Sequence, residues 1–590
     1  MRNYPRTSSR SATAAIPQSP LGRYIRWQVL LALVGIFLLT LLLGVTAYNV
    51  STELVPDQGG VFREGVAGNP QYLNPLLCHT HEIDQDLCRL LFRGLTRLDR
   101  NGLIVPDLAE SWSTTPDGLV YTFRLRENQF WHDGQPVTLD DVLFTVEMMQ
   151  APDTPVIPDL ADLWRSVDVE RVDEQTVRFI LNQPFAPFLD YTAIGLLPAH
   201  IWRDTSPADL VLSPSNALPV GNGPMKVTDV QADHIRLEPN EFDTSSLPYI
   251  SALEFRFYPD YPSIYAAYSK GELDGISRIL PDDLSLARER EDLQLFSAIE
   301  SVYVSVIFNL NSPSVSFFQE KAVRHALYYA LDRQKLISDA ATGQGVIATS
   351  PIPANNWAYT GDVRQYPYDI ATANRLLDEA GWVDSNGNGI RDKDGQELSF
   401  ILLSNDDPVR QVMVEQISAS WRAVGVEAVP QSVSFAGLVS DFLAPRRFDA
   451  AIVTWDISGD PDPYPLWHSS QAEEGGQNYS GWMNDQADEL LIRARSEVDT
   501  EQRKSLYTDF QRIFMEEAPA ILLYYPAYTY GVSERVKNVQ IGTLNSPSDR
   551  FATFPDWYIL ARRVPTNQLL NGPTAPEPSS QGSLRIGVVE

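Results

Sequence analysis

Cysteine is nearly absent: 590 residues contain two, Cys78 and Cys88, and no second C-x-x-C or H-x-x-x-H pair exists to complete a tetrahedral zinc site. Histidine is almost as scarce. With seven copies scattered along the chain, a Ser-His-Asp relay would require a tertiary coincidence. Positive charge is in deficit, 46 Lys and Arg against 76 Asp and Glu for a formal net charge of -30, so the clustered cations needed for nucleic-acid phosphates are missing. Also lacking are H-E-x-x-H, G-x-S-x-G, a P-loop and a G-x-G-x-x-G placed between strand and helix. The absences argue against catalysis, against a nucleic-acid partner and against a bound cofactor.

Long apolar runs are also lacking, with one exception. Val29 to Ala47, VLLALVGIFLLTLLLGVTA, carries no charge and has about the length that a ~30 Å hydrocarbon layer asks of a helix. It exceeds the roughly 7 to 15 apolar residues of a signal-peptide core, which favours a retained anchor. Small residues at Val45-Thr46-Ala47 keep cleavage open, while no cysteine follows the run to take a lipid. Arg2, Arg6, Arg10, Arg23 and Arg26 precede it, with no acidic residue before Gln28. The positive-inside rule places this tail in the cytoplasm and the rest of the chain outside.

The chain divides accordingly into a basic tail (1–28), an anchor (29–47), a spacer (48–57), a body (58–563) and a Pro/Ser-rich linker with a C-terminal tail (564–590). β-branched and aromatic content predicts strands over 61–66, 119–125, 167–169, 176–181, 235–238, 253–258, 302–309 and 450–454. Three- and four-residue apolar spacing predicts helices over 84–92, 138–150, 261–270, 321–330, 370–380, 409–424, 485–496 and 500–517. The mixed order implies α/β lobes. Near the end, Gly582, Arg585, Gly587 and Val588 repeat the offsets of Gly60, Arg63, Gly65 and Val66, as if a second copy of the body began there.

Both cysteines fall in one stretch, CHTHEIDQDLC, with His79, His81 and Glu82 between them. Outside the cell a Cys78–Cys88 disulfide closing a loop of about eleven residues would stabilise by roughly 2–3 kcal/mol. A Cys/His metal site is the other reading that the residues of this stretch offer. Farther on, DSNGNGIRDKDG imitates a calcium loop: Asp384, Asn386, Asn388, the Ile390 carbonyl and Asp392 occupy ligand positions and Gly389 the turn. Gly395 stands where the bidentate glutamate belongs, and an Asx-turn hairpin without an ion is the favoured reading.

A collinear set of motifs carries a resemblance. Leu73-Asn74-Pro75, LLFRGLTRLDRNG, PDLAESW at 106–112, the Asp117-Gly118 turn and FWHDGQPVTLDDVLFTVE occur in order. Gly221-Asn222-Gly223-Pro224, YSKGELDGI, AVRHALYYALDRQKLI, YDIATANRLLDEAGW and FDAAIVTWDISGDPDP follow. From about Gly60 to Trp557 the chain resembles the bacterial extracellular solute-binding proteins of family 5, which serve peptide and nickel ABC importers.

The resemblance implies an α/β, two-lobed periplasmic-binding-protein-like fold (type II, cluster C) with an additional domain, here preceded by one N-terminal transmembrane helix. By analogy lobe I combines 58–97, 221–332 and 520–563, domain II spans 98–220 and lobe III 333–519. The implied function is capture of di- or oligopeptides by a monomeric body for a separate permease and its ATPase; a nickel chelate, an oligosaccharide or a sensor or adhesion role are the alternatives. TWDISGDPDP emerges from a strand end, where clefts form. Trp455 is expected as a pocket wall. Peptide-binding relatives carry an aspartate three residues after that tryptophan, where this chain has Ser458, so Asp456 or Asp460 would have to meet the ligand's ammonium. In the resembled family the loop after Leu-Asn-Pro reaches toward the ligand, which implies a cleft-facing role for His79, His81 and Glu82; Asn309, at a strand end, and Trp357 complete the expected ligand-binding set.

Overall fold

The computed structural model describes residues 20–243 and 247–566. Two compact units separate, one of residues up to Asp57 with those from Leu560 onward, the other Gln58–Ile559. In the first, the helix Pro20–Ser51 leads into Thr52–Asp57, which pairs antiparallel with Leu560–Pro565. Its Trp27–Ser51 portion is long and apolar enough to cross a membrane. Arg2, Arg6, Arg10 and the repeat-like C-terminal run lie outside the described residues.

The second unit is built on β1 (Val61–Ala67), α1 (Glu82–Leu91), and a four-stranded sheet of β2 (Ala109–Thr114), β3 (Val120–Leu125), β4 (Val167–Arg171) and β5 (Thr176–Leu181) in the order β2-β3-β5-β4. The helix α2 (Leu139–Gln150) starts at a capping box in which Thr138 and Asp141 satisfy each other's backbone amides. Next come β6 (Met225–Val230), β7 (His234–Pro239), β8 (Ala252–Tyr258), β9 (Leu293–Ile299) and β10 (Val302–Phe308). The chain continues through β11 (Ser399–Asn405), α3 (Pro408–Arg422), β12 (Glu427–Val433), β13 (Ala450–Asp456), α4 (Asp485–Ser496), α5 (Thr500–Glu517) and β14 (Ala520–Ser533). The large sheet runs β12-β11-β13-β10-β14, then through Gly275–Ile276 to β1, β8, β7 and β6.

β14 belongs to both halves of that sheet. Its first part pairs with β10, from Ala520↔Ile307 to Tyr524↔Val304, and its second with β9, from Ala527↔Ile299 to Ser533↔Leu293. The changeover falls at Pro526, which has no N–H to give a ladder. On the partner strands it falls at Glu300 and Ser301. The unit has three principal cores: one around Phe62, Leu87, Phe255 and Trp557, one around Phe123, Trp131, Trp164 and Phe179, and one around Tyr303, Phe318, Trp421 and Phe514. Segment 302–332, grouped by resemblance with lobe I, shares its core with 333–519, because β10 and the helix behind it pack on β13 and β14.

Every strand and helix expected from the sequence is present, with bounds moved by at most about two residues. Helix stops also follow the chemistry: Gly381, just past the helix Ile370–Glu379, takes φ 85°, where a side chain would be strained. Beneath α1 the first core holds a charged group. Arg550 pairs with Asp86 at 2.5 Å and Glu64 at 3.2 Å, all three almost wholly buried, and Tyr530 donates to Glu64 at 2.9 Å. Burial drives the Glu64 carboxyl up to about 7 against the opposing pull of Arg550.

Candidate functional site

β11 and β13 are parallel neighbours, and their carboxyl ends release Asn405 and Asp456 on the same side of the sheet. Crevices beyond such strand ends are the usual ligand positions of α/β sheets. Two cavities lie there, one lined by Asp456 and the other by the preceding Trp455.

The first cavity, about 550 Å³, is walled by α1 and the loop before it, by the β9–β10 crossing, by the turn after β13 and by residues 544–548. His79, Glu82, Glu300, Asp456, Ser458 and Asn545 supply its polar lining. Arg278 holds both glutamates, at 2.9 Å from each, and the Tyr261 hydroxyl donates to Glu82 at 3.0 Å. Asp456 accepts the Ser458 amide at 2.9 Å, and the Ser458 hydroxyl lies 2.5 Å from Asp456 Oδ1 and 2.6 Å from the Asn545 carbonyl. Glu82 and Glu300 thus share the Arg278 guanidinium, Asp456 is held by Ser458, and Arg89, 3.6 Å from Asp549, is the one cationic side chain in the lining against these three carboxylates, so the lining is acidic. Burial lowers the His79 pKa, and the His79 Nε2 is screened from water without a partner.

Cys78 and Cys88 line the same cavity as two free, buried thiols, which corrects the expected disulfide. They are close enough to hydrogen-bond, and burial, then that contact, pushes the Cys88 thiol well up. The metal reading of the stretch fails on geometry: among the described residues no three His, Cys, Asp or Glu side chains converge as ligands. His81 stands apart, preceding α1 with its ring on the Thr80 hydroxyl at 2.9 Å and 3.8 Å from Asp84.

The second cavity, about 560 Å³, joins the N-terminal turn of α3 to β13 and to Tyr479 and Tyr524. Trp455 lines it, 9% exposed and stacked on Tyr479 at 5.7 Å. Arg410, which the sequence reading missed, reaches into it. Its Nη2 donates to Thr454 Oγ1, while Arg410 Nη1 and Trp455 Nε1 are both shut off from water with no acceptor. Leaving a buried donor unpaired costs about 1–3 kcal/mol, more when it is charged. The signal was present in sequence, since D-D-P-V-R directly follows the strand at 399–405 and puts an arginine in the first turn of a helix at a strand's carboxyl end.

Three expected residues turn elsewhere. Both oxygens of Asp460 are taken by Arg503, at 2.6 and 2.7 Å, in a pair less than a tenth exposed. Trp357 packs over that same Arg503, 5.3 Å away, and against Tyr507. Asn309 donates to the Arg446 and Phe448 carbonyls at 3.0 and 2.8 Å and accepts the Asn311 amide, so it ties a loop to β10 instead of meeting a ligand. In the calcium-like loop, Asp384 accepts the amides of Gly387, Asn388 and Gly389, Asn386 and Asn388 accept the amides of Asn388 and Ile390, and Asp392 binds Ser385. These oxygens accept backbone amides in the Asx hairpin favoured from the sequence, and among the described residues no three His, Cys, Asp or Glu side chains group as the calcium reading would need.

Residues 104–477 match the family model described as "Bacterial extracellular solute-binding proteins, family 5 Middle". The oligopeptide-binding protein AppA of Bacillus subtilis is 31% identical over 482 residues, 80% of this chain and 87% of that one. Its structure with a nonapeptide superposes with a TM-score of 0.65 at 29% identity, covering 86% of this chain and 100% of that chain. NikZ of Campylobacter jejuni in complex with Ni(L-His) gives a TM-score of 0.67 at 26% identity, covering 84% and 99%. With its motifs in order, its sheet crossing at Pro526 and these matches along most of its length, the chain belongs to the bacterial extracellular solute-binding proteins of family 5.

Proposed function

We propose that the chain is the capturing component of an ABC importer, held at the outer face of the cell membrane by its N-terminal helix, and that it binds peptides without altering them. The acidic first cavity carries this reading. It lies where α1, the β9–β10 crossing and the turn after β13 face one another, and its Glu82, Glu300 and Asp456 match the ammonium of a peptide's first residue. Ser458, at the family's aspartate position, is bound to Asp456, so the negative charge sits two residues earlier, on the same turn. The Bacillus relative's nonapeptide makes peptide the ligand class to test first.

Ligand contacts made only when the lobes close would shift the population toward the closed state, and transport energy would come from a separate ATPase. Native mass spectrometry of the full-length chain released from detergent tests this. A ladder of peptide masses is expected. One chelate or sugar mass, or turnover of an added peptide, overturns it.

A further inference from the structure

We propose that the seam between the domain of β2–β5 and residues 459–503 is a latch that binds one proton at Asp190 as it shuts, so that capture strengthens as pH falls. This goes beyond the capture reading and rests on it. The two sides of the seam belong to bodies with separate cores. The sheet of β2–β5 shares its core with Leu76, Leu77 and Leu95, whereas the facing core is drawn from residues between Tyr303 and Tyr525. The chain passes between the bodies where β9 gives way to β10 and where β14 crosses at Pro526, and a few such residues are enough for a hinge. In the seam itself the contact is thin and polar. The Ala186 amide donates to the Arg495 carbonyl at 2.7 Å. The Arg495 guanidinium lies 5.2 Å over the Phe185 ring of one body and 4.1 Å over the Tyr464 ring of the other, and it holds Asp462 at 2.7 Å. A cavity of about 370 Å³ opens in the same seam, with Asn182, Gln183 and Tyr191 on one side and Pro465, Gln471 and Gln477 on the other. Polar interdomain surfaces of this kind part while each body stays folded.

Asp190, on the short helix Phe188–Tyr191, meets the seam at Gly459, where its Oδ1 stands 3.3 Å from the place a Cβ would take. Across from it are Asp460, Arg503 and Tyr507, with Asp462 and Arg495 farther along, and on its own side Tyr121 and Tyr191. Arg503 is already committed, to both oxygens of Asp460 at 2.6 and 2.7 Å and to the Tyr507 hydroxyl at 3.0 Å. Among the described residues no cation stands within ion-pair distance of the Asp190 carboxyl. Shutting the seam therefore takes this acid out of water and sets it beside a second carboxylate without a cation of its own. Burial first, and the Asp460 charge second, raise its pKa in the shut form, while an open seam returns it to the ordinary carboxylate range. A group whose pKa is higher shut than open takes up a proton on closing. Closure is thus favoured in full below the open value and weakens as pH rises through the shut one. Uptake of one whole proton changes the closing equilibrium about tenfold per pH unit, and the solvent contact that Asp190 keeps halves that on a logarithmic scale, to about threefold.

The test follows the Ala186 amide, which donates across the seam, by hydrogen–deuterium exchange of the full-length chain in detergent, each rate being divided by its intrinsic value at that pH. From about pH 5 to about pH 7.5 its protection is expected to fall about threefold per pH unit, while the amides of the β3–β5 ladder keep theirs. Asp190→Asn should remove the pH dependence. Arg495→Ala, which takes away the cation between the two rings, should lower Ala186 protection at every pH and leave its slope. The latch is overturned by protection that ignores pH, by an equal slope in Asp190→Asn, by an Arg495→Ala chain that matches the parent, or by ladder amides that lose protection in step with Ala186. A pH-dependent seam in a chain that retains no peptide would sink the capture reading alone, and retained peptides with a seam indifferent to pH would sink the latch alone.

Discussion

Asp190 is a buried acid whose neutralisation should stabilise the body. It lies on the short helix Phe188–Tyr191, against the loop of Gly459 and the Asp460–Arg503 pair. Burial first, and the Asp460 charge second, drive its carboxyl from 3.8 up to about 8, with Arg503 pulling the other way. The folded state therefore keeps a proton that the unfolded chain releases between about pH 4 and pH 8. Stability contributed here is intact below the unfolded value and is lost progressively as pH rises through that window.

At pH 7, 3.2 units above the unfolded value of 3.8, the penalty taken at about 1.4 kcal/mol per pH unit would be about 4.4 kcal/mol. Asp190 retains some solvent contact. Halving the figure for screening leaves about 2 kcal/mol. Asp190→Asn should accordingly stabilise the full-length chain by about 2 kcal/mol near pH 7.5 and by less than about 1 kcal/mol near pH 5, read from urea unfolding in detergent. The other groups facing it, Asp460 and Arg503, are present in both proteins and cancel in the difference. A variant that is less stable than the parent, or a gap that does not vary with pH, refutes the reasoning.

Arg550→Met strands Glu64 and Asp86 in the first core, and a loss of about 3–5 kcal/mol is expected at neutral pH. That loss should shrink on acidification as the carboxyls protonate, and the triple variant with Glu64→Gln and Asp86→Asn should recover most of it in thermal unfolding. Asp384→Ala should lower stability by about 1–2 kcal/mol, since three amides lose their acceptor, while the melting temperature of the parent chain should be the same in calcium and in EDTA. Thiol titration in denaturant should count two free cysteines per chain, with Cys88 resisting iodoacetamide in the native state because burial keeps its thiol protonated. Fewer than two reactive sulfurs after unfolding would restore the disulfide.

The fold was legible wherever local periodicity and tertiary context agree. α5 (Thr500–Glu517) and α4 (Asp485–Ser496) carry their caps in sequence, Asp499 and Asn484, and their bounds were read without error. β14 escaped because AILLYYPAYTYGVS contains a proline in mid-run, ordinarily a reason to reject a central strand. In the folded chain that proline sits where the strand passes from one half-sheet to the other, a position no local pattern can show. The same passage explains why 302–332 shares its core with 333–519: a strand's partners are chosen by the sheet, not by its neighbours in sequence.

The site was legible in place but not in role. TWDISGDPDP does supply both cavities, yet its three polar candidates behave differently for reasons lying far along the chain. Asp460 is captured by Arg503, on a helix more than a hundred atoms of backbone away, and a carboxylate bound through both oxygens in a buried pair has nothing left to offer a ligand. Ser458 then bridges Asp456 to the Asn545 carbonyl, fixing Asp456 at the edge of the first cavity, where Glu82 and Glu300 already leave Arg278 outnumbered. The charge that would receive an ammonium has therefore moved along the turn without leaving it. Trp455, one residue earlier and on the opposite face of the same extended strand, is necessarily directed to the other cavity by the period of two, toward Arg410.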